Sequence, residues 1–192
     1  MVKVLGIVGS PRRSGNTDIM VTEALKAASK EGVKTEKMYL SDYNLRPCDG
    51  CKTCFDTGEC HIPDDLMKIY NRVVTADGLI LGCPVYFHHV SAQMKLFMDR
   101  AGYLCLARGR RDFKNKVAGA VVVAGATGHQ STVEELLSFI STCRMIIPWR
   151  GWVAGTASSK GEILQKASSL EGARELGAAV TELVELTSEL RG

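Results

Sequence analysis

The sequence predicts a doubly wound α/β fold: a five-stranded parallel sheet of order 2-1-3-4-5 with helices on both faces. Three observations predict it. Apolar runs rich in Val and Ile alternate with segments of helical spacing along the 192 residues, the pattern of a parallel sheet buried on both sides. The first run ends in a Gly- and Ser-rich turn that leads straight into a helical segment. Right-handed crossovers then leave few strand orders, and 2-1-3-4-5 is the natural one.

Residues 2–9 form the first apolar run and the first expected strand. Residues 17–31 show helical spacing at Ile19, Val21, Leu25 and Ala28, with Gly32 as the stop. Residues 33–40 read as the second strand. Pro63-Asp64-Asp65 opens a helix to about residue 75, and residues 77–83 read as the third strand. Ser91 begins a helix to about residue 100. Residues 116–124 form a buried strand, residues 130–143 a helix, and residues 145–154 contain the last strand. Ser168-x-x-Glu171 has the pattern of a capping box and is expected to open a final helix over about 169–190. Two stretches stand outside the alternation, 41–62 and a loop near 103–114. The expected organisation is one domain over 1–192, with 41–62 inserted after the second strand.

Composition narrows the function classes. Lys and Arg number 24 against 21 Asp and Glu, and the net charge of +3 is too small to imply nucleic-acid binding. No apolar run approaches the ~18 residues of a membrane helix. The short opening run is followed by Pro11-Arg12-Arg13 rather than a small-residue cleavage site. These features lead to the expectation of a cytoplasmic protein. Seven cysteines are present, an odd number that argues against a closed disulfide framework. Cys83, Cys105 and Cys143 are scattered and read as small packing residues.

The turn after the first strand is Gly9-Ser10-Pro11-Arg12-Arg13-Ser14-Gly15-Asn16-Thr17. A strand–turn–helix of this kind aims backbone N–H groups and the positive end of the helix dipole at one spot, which suits a phosphate. Ser10, Ser14, Asn16 and Thr17 add short donors, and Arg12 adds charge. Neither G-x-G-x-x-G nor Gly-Lys-Ser/Thr is present, so a terminal monophosphate such as that of FMN fits better than a dinucleotide or a nucleoside triphosphate. The competing reading is a polar loop in which Asn16 or Thr17 merely caps the helix. Two more loops belong to the same sheet edge. Pro84-Val85-Tyr86-Phe87 follows the third strand, and Gly125-Ala126-Thr127-Gly128 follows the fourth. The first offers aromatics beside a flat ring and the second allows close backbone approach, although Tyr86 and Phe87 could equally pack against a helix.

Cys48, Cys51, Cys54 and Cys60 follow the spacing C-x2-C-x2-C-x5-C. Consecutive C-x2-C steps wrap thiolates around a compact centre, as in bacterial ferredoxins. With no second set in the chain, Cys60 is expected to complete the same [4Fe–4S] site. Structural zinc and a redox dithiol are the alternatives, but zinc usually takes two separated pairs and a dithiol needs only two cysteines.

With these motifs in view, the chain resembles the iron–sulfur flavoproteins of anaerobic archaea and bacteria, within the larger NADPH-dependent FMN reductase group. The resemblance spans nearly the whole chain. It rests on Gly9-Ser10-Pro11-Arg12 through Gly15-Asn16-Thr17, the compact cysteine motif, Pro84-Val85-Tyr86-Phe87, and Ser91-Ala-Gln-Met-Lys-x-Phe-x-Asp99-Arg100. The cysteine motif is the most specific part, because plain FMN reductases lack it. The resemblance implies a flavodoxin-like fold, with Ser10, Arg12, Ser14, Gly15, Asn16 and Thr17 at the FMN phosphate. Pro84, Val85, Tyr86, Phe87, Gly125 and Gly128 would line the ring, and Cys48, Cys51, Cys54 and Cys60 would bind iron. It also implies homodimers or homotetramers in which the cluster of one subunit approaches the FMN of another. His88-His89 departs from the pattern, which has a small residue after the aromatic pair.

Three function classes follow. The first is an electron-transfer oxidoreductase that passes electrons between cluster and FMN, with ferredoxin or a similar one-electron donor as partner. The second is an NAD(P)H-dependent FMN or quinone reductase with structural cysteines. The third is a redox or oxygen sensor acting through a partner. Arg108, Arg110 and Arg111 read first as a solvated loop and second as a docking patch for an acidic donor. Lys95 and Asp99, four apart on a helix, read as a surface ion pair.

Overall fold

Strands form where the β-branched runs lie. The computed structural model describes residues 1–30 and 32–191. Along the chain the strands are β1 (Val2–Val8), β2 (Val33–Tyr39), β3 (Gly78–Tyr86), β4 (His89–Val90), β5 (Val117–Ala124) and β6 (Trp152–Thr156). Five of them make a parallel sheet of order β2-β1-β3-β5-β6, which is the expected 2-1-3-4-5 winding. The sixth, the two-residue β4, folds back antiparallel on β3 through Tyr86↔His89 and Val85↔Val90. β3 therefore runs past the expected end at 83. β6 starts later than 145; before it, Ile146 makes an isolated bridge to Val117, and the chain passes through Pro148 to Gly151 before pairing with β5.

Strand residues alternate between two cores, as the pleat requires. Val4, Val8, Ile80 and Val121 pack under α1 (Asn16–Ala28) and α6 (Ala167–Leu186). Leu5, Ile7, Leu79, Leu81 and Val122 pack on the other side with residues of α3 (Leu66–Val74), α4 (Ala92–Ala107) and α5 (His129–Thr142). The short α2 (Thr53–Thr57) lies in the insertion between left-handed Lys52 and Gly58.

Three helix expectations need correction. α1 begins at Asn16 with Gly15 as N-cap and no side-chain cap bond, so neither Asn16 nor Thr17 caps it. It ends at Ala28, and Glu31 lies outside the described residues. α4 continues to Ala107 rather than about 100, because the stripe Met94, Phe97, Ala101, Leu104 and Cys105 keeps one face buried. The 103–114 loop is thus helical in its first part. The Ser168 capping box does not form. Lys166 is the N-cap of α6 without a side-chain bond, and Glu171 instead pairs with Arg174 at 3.1 Å.

Candidate functional site

A cavity of about 170 Å³ opens at the carboxyl ends of the parallel strands. Ser10, Arg12, Gly15, Asn16 and Thr17 form one wall. Pro84, Val85 and Tyr86 from the end of β3 form another, with Val123 and Gly125 from the end of β5. Ala157 and Ser158, after β6, close it. The turn into α1 is built tightly. Gly15 N–H donates to Arg12 O at 3.0 Å, and a Cβ at Gly15 would sit 2.8 Å from that oxygen. Ser14 takes a left-handed conformation (φ 53°), and its N–H donates to Asp18 Oδ2 at 2.7 Å. The next N–H groups of α1 have no intrahelical acceptor, as at any helix start. Burial alone would raise the pKa of Asp18, but Lys37 Nζ at 2.6 Å and the Tyr39 hydroxyl at 2.8 Å outweigh it and hold the carboxyl below its ordinary range.

Some of the expected side chains do other work. The Asn16 carboxamide donates to Ala157 O at 3.3 Å and Ser159 O at 2.9 Å, and its oxygen accepts from Ile163 N at 3.3 Å. It fastens the loop after β6 to the phosphate turn. Ser14 does not line the cavity. Phe87 is 97% exposed, and with His88 it forms the β3–β4 turn at φ 50° and 71°. Gly128 lies outside the lining too, as the left-handed N-cap of α5, and a Cβ there would meet His88 Cα at 2.7 Å. It makes room for the hairpin. His88 O accepts from the Ser131 hydroxyl and His89 pairs with Glu135, so both histidine positions hold the hairpin to α5. Ala157, Ser158 and Val123 are the lining residues the sequence reading missed. The Ser-rich turn at the end of the last strand was the available signal, since it lies on the same sheet edge.

The four spaced cysteines converge. Cys48, Cys51, Cys54 and Cys60 line one cavity of about 60 Å³, walled by Phe55, Ile62, Arg100, Tyr103 and Leu104. Left-handed Gly50 (φ 71°) and Gly58 (φ 72°) supply the tight turns. All four are free thiols. Burial pushes the Cys54 thiol up, and the charges of Cys60, Cys51 and Cys48 push it further. Four thiols on one small cavity are the donor set of a compact thiolate-bound centre, so the residues fit one. Arg100 of α4 and Arg108, the C-cap of that helix, brace it. Arg100 Nη2 donates to Cys60 Sγ at 3.0 Å. Arg108 Nε donates to Gly58 O at 2.8 Å and its Nη1 to Asp112 at 3.2 Å, so Arg108 is committed to the insertion rather than to a free loop. An exposed Asp49–His61 pair (2.8 Å) sits at the rim beside Cys51.

The two cavities share no lining residue, and α4 connects them. Its N-cap Ser91 donates to Gly9 O at 2.8 Å, beside the phosphate turn. Arg100, at the cysteines, is nine residues on, or about 13 Å along the axis. Cys83, Cys105 and Cys143 are buried, as expected of packing residues, and burial raises the Cys83 thiol to about 11. Lys95 and Asp99 are ion-paired.

Winding order, a phosphate-type turn at the point where the strand order reverses and a ligand cavity at the strand ends define a flavodoxin-like protein. Solved structures agree on the fold. RosB with a bound 8-demethyl-8-formylriboflavin-5'-phosphate intermediate aligns over 100% of this chain and 82% of its own, at TM-score 0.79 and 18% identity. A flavodoxin from the domain Archaea aligns over 96% of this chain and 99% of its own, at TM-score 0.63 and 13% identity. The family model for NADPH-dependent FMN reductase matches residues 2–159. An iron–sulfur flavoprotein of Methanocaldococcus jannaschii is 40% identical over 96% of this chain and 98% of its own length. The chain belongs to the iron–sulfur flavoproteins of the NADPH-dependent FMN reductase family.

Proposed function

We propose that this protein is an FMN-dependent oxidoreductase that passes electrons between a [4Fe–4S] cluster and FMN, drawing them from ferredoxin or a similar one-electron donor. The observation that carries the reading is the convergence of Cys48, Cys51, Cys54 and Cys60 on one cavity, in a chain whose strand-end cavity has the phosphate turn of a flavin protein. A cluster exchanges single electrons and FMN couples one- and two-electron steps, so the pair would join two kinds of partner.

The chain's own part is to hold and orient. Ser10, Thr17 and the free N–H groups at the start of α1 would take the phosphate, with Arg12 adding charge. Pro84, Val85, Tyr86 and Gly125 would flank the ring. Asn16 holds Ala157 and Ser159, on either side of the lining residue Ser158, at the α1 end of that cavity. Arg108 and Arg100 hold the insertion against α4. We further propose a homodimer or homotetramer in a cytoplasmic setting. No helix among the described residues is long and apolar enough to cross a membrane.

The test is protein purified without oxygen, assayed for iron, sulfide and acid-released flavin, then mixed rapidly with reduced ferredoxin. The expected result is one cluster and one FMN per chain, with cluster absorbance changing before flavin absorbance. Cys51→Ala should keep FMN, lose iron and react slowly with ferredoxin. If that variant reduces its flavin as fast as wild type, the NAD(P)H-dependent reductase reading takes over, which the NADPH-dependent family description favours.

A further inference from the structure

Both ends of the cysteine insertion meet on one side chain. Arg100 is buried, and its side chain and that of Asp64 are fully covered. Arg100 Nη1 donates to Arg46 O at 3.1 Å, where the chain enters the insertion, and pairs with Asp64 Oδ2. Nη2 donates to Cys60 Sγ at 3.0 Å, where the chain leaves it. Asp64 in turn accepts from Arg46 N at 2.9 Å and Leu66 N at 3.0 Å. Arg100 Nε is also buried and has no partner among the described residues. A buried charged donor without an acceptor is costly, and Arg100 lines the cavity that the four cysteines share.

We propose that Arg100 positions Cys60 and sets the reduction potential of the cluster, with its Nε–H left for a sulfur acceptor in that cavity. The inference rests on the cluster reading above. Reduction adds a negative charge to the centre. A fixed cation hydrogen-bonded to a ligand sulfur, shielded from water, favours the reduced form and raises the potential. Asp64 has the opposite effect and lies one contact further away, bonded to Arg100 and to backbone rather than to a cysteine sulfur. Among the described residues Arg100 is the cation that donates to a cysteine sulfur of the set. Arg108 donates to the Gly58 carbonyl and to Asp112, and among the described residues to no cysteine sulfur. The buried pair is therefore a polarised device: the guanidinium faces a ligand and the carboxylate stands behind it.

The sign of each contribution makes the idea testable in a way that a structural role is not. Holoprotein purified without oxygen would be compared for wild type, Arg100→Gln, Arg100→Lys and Asp64→Asn. The measurements are iron and sulfide content, cluster potential by EPR-monitored redox titration, iron loss to a chelator, and melting of the cluster-free chain. Arg100→Gln should lower the potential and speed iron loss by about tenfold or more. Asp64→Asn should raise the potential. Arg100→Lys, which keeps the charge but not the fork, should return the potential toward wild type while the melting temperature stays lowered. Shifts of the same sign in Arg100→Gln and Asp64→Asn overturn the proposal. So do unchanged potentials at full iron content with only melting affected. If Arg100→Gln does not fold, Asp64→Asn decides alone: a raised potential supports the role, and an unchanged or lowered one overturns it. Wild-type protein without iron would instead refute the cluster reading, and the iron assay reports that before any potential is measured.

Discussion

The Asn16 carboxamide commits its hydrogen-bonding groups to the segment after β6, through Ala157 O, Ser159 O and Ile163 N. Thr17, one residue on, is buried and lines the strand-end cavity. The two neighbours should therefore fail differently. Asn16→Ala should destabilise the cofactor-free chain by about 3 kcal/mol, from three lost bonds at about 1 kcal/mol net each, and weaken FMN only through the loosened loop. Thr17→Ala should weaken FMN while leaving the cofactor-free stability nearly unchanged. Urea unfolding without cofactor and fluorescence titration with FMN separate the two; equal losses of stability in both variants would refute the division. Residue type and spacing made the cysteine set and the phosphate turn legible, because both rest on short local patterns. They could not reveal that Asn16 faces a loop 141 residues away, nor that Arg100 and Arg108 brace the insertion, since those contacts exist only once α4 is laid beside it.

At the scale of elements, α1 and α6 cross so closely that a Cβ at Gly177 would lie 1.9 Å from Ala24 O. Gly177→Ala should force the helices apart and cost about 3 kcal/mol, the upper range for overpacking. Because α1 starts at the phosphate turn, FMN affinity should fall as well; an unchanged urea midpoint would show that the helices can slide instead. The outer edge of the sheet offers a pH test. Glu36 on β2 is held by Lys34 at 3.0 Å, Lys3 of β1 at 3.1 Å and Arg72 of α3 at 3.3 Å, which together bring its pKa from 4.5 to about 2. A lowered pKa means stability present above pH 4.5 and lost as pH falls from 4.5 toward about 2. Solvent screening limits this to about 1 kcal/mol. Glu36→Gln should be less stable than wild type by that amount at neutral pH, and the gap in urea midpoints should close toward pH 2. The parallel strands were legible because β-branched runs buried on both faces have few other uses. The β3–β4 hairpin was hidden because Phe87 and His88 occupy left-handed turn positions that Gly or Asn normally mark. The C-terminal extension of α4 was hidden by Gly102 and Tyr103, which break the apolar stripe in sequence but not in space.

For the molecule as a whole, the two cavities and one groove pose a single question of assembly. A groove of about 750 Å³ runs between α4 and α5, with Met98, Leu106 and Phe139 in it and Lys95, Asp99, Glu134 and Glu135 at its polar positions. Tyr103 lines both this groove and the cysteine cavity, and stacks edge-on against Phe55 at 6.2 Å between ring centres. Whatever covers the groove therefore lies against one wall of the cysteine cavity. The strand-end cavity lies beyond the other end of the Ser91–Arg100 segment, which spans about 13 Å along its axis, and electron tunnelling weakens steeply with distance. A second copy of the chain placing its own strand-end cavity near the cysteines would shorten that path, and closed symmetric pairing is the usual way identical chains achieve such contacts. We expect a homodimer or homotetramer by light scattering at micromolar concentration. Leu106→Arg, which puts an unpaired charge into the apolar part of the groove, should shift the protein toward monomer while leaving the iron and FMN content intact. Electron flow from ferredoxin to flavin should slow in that variant and recover as rising protein concentration restores the oligomer. A wild-type monomer carrying both cofactors and reducing its flavin at a concentration-independent rate would show that one chain suffices.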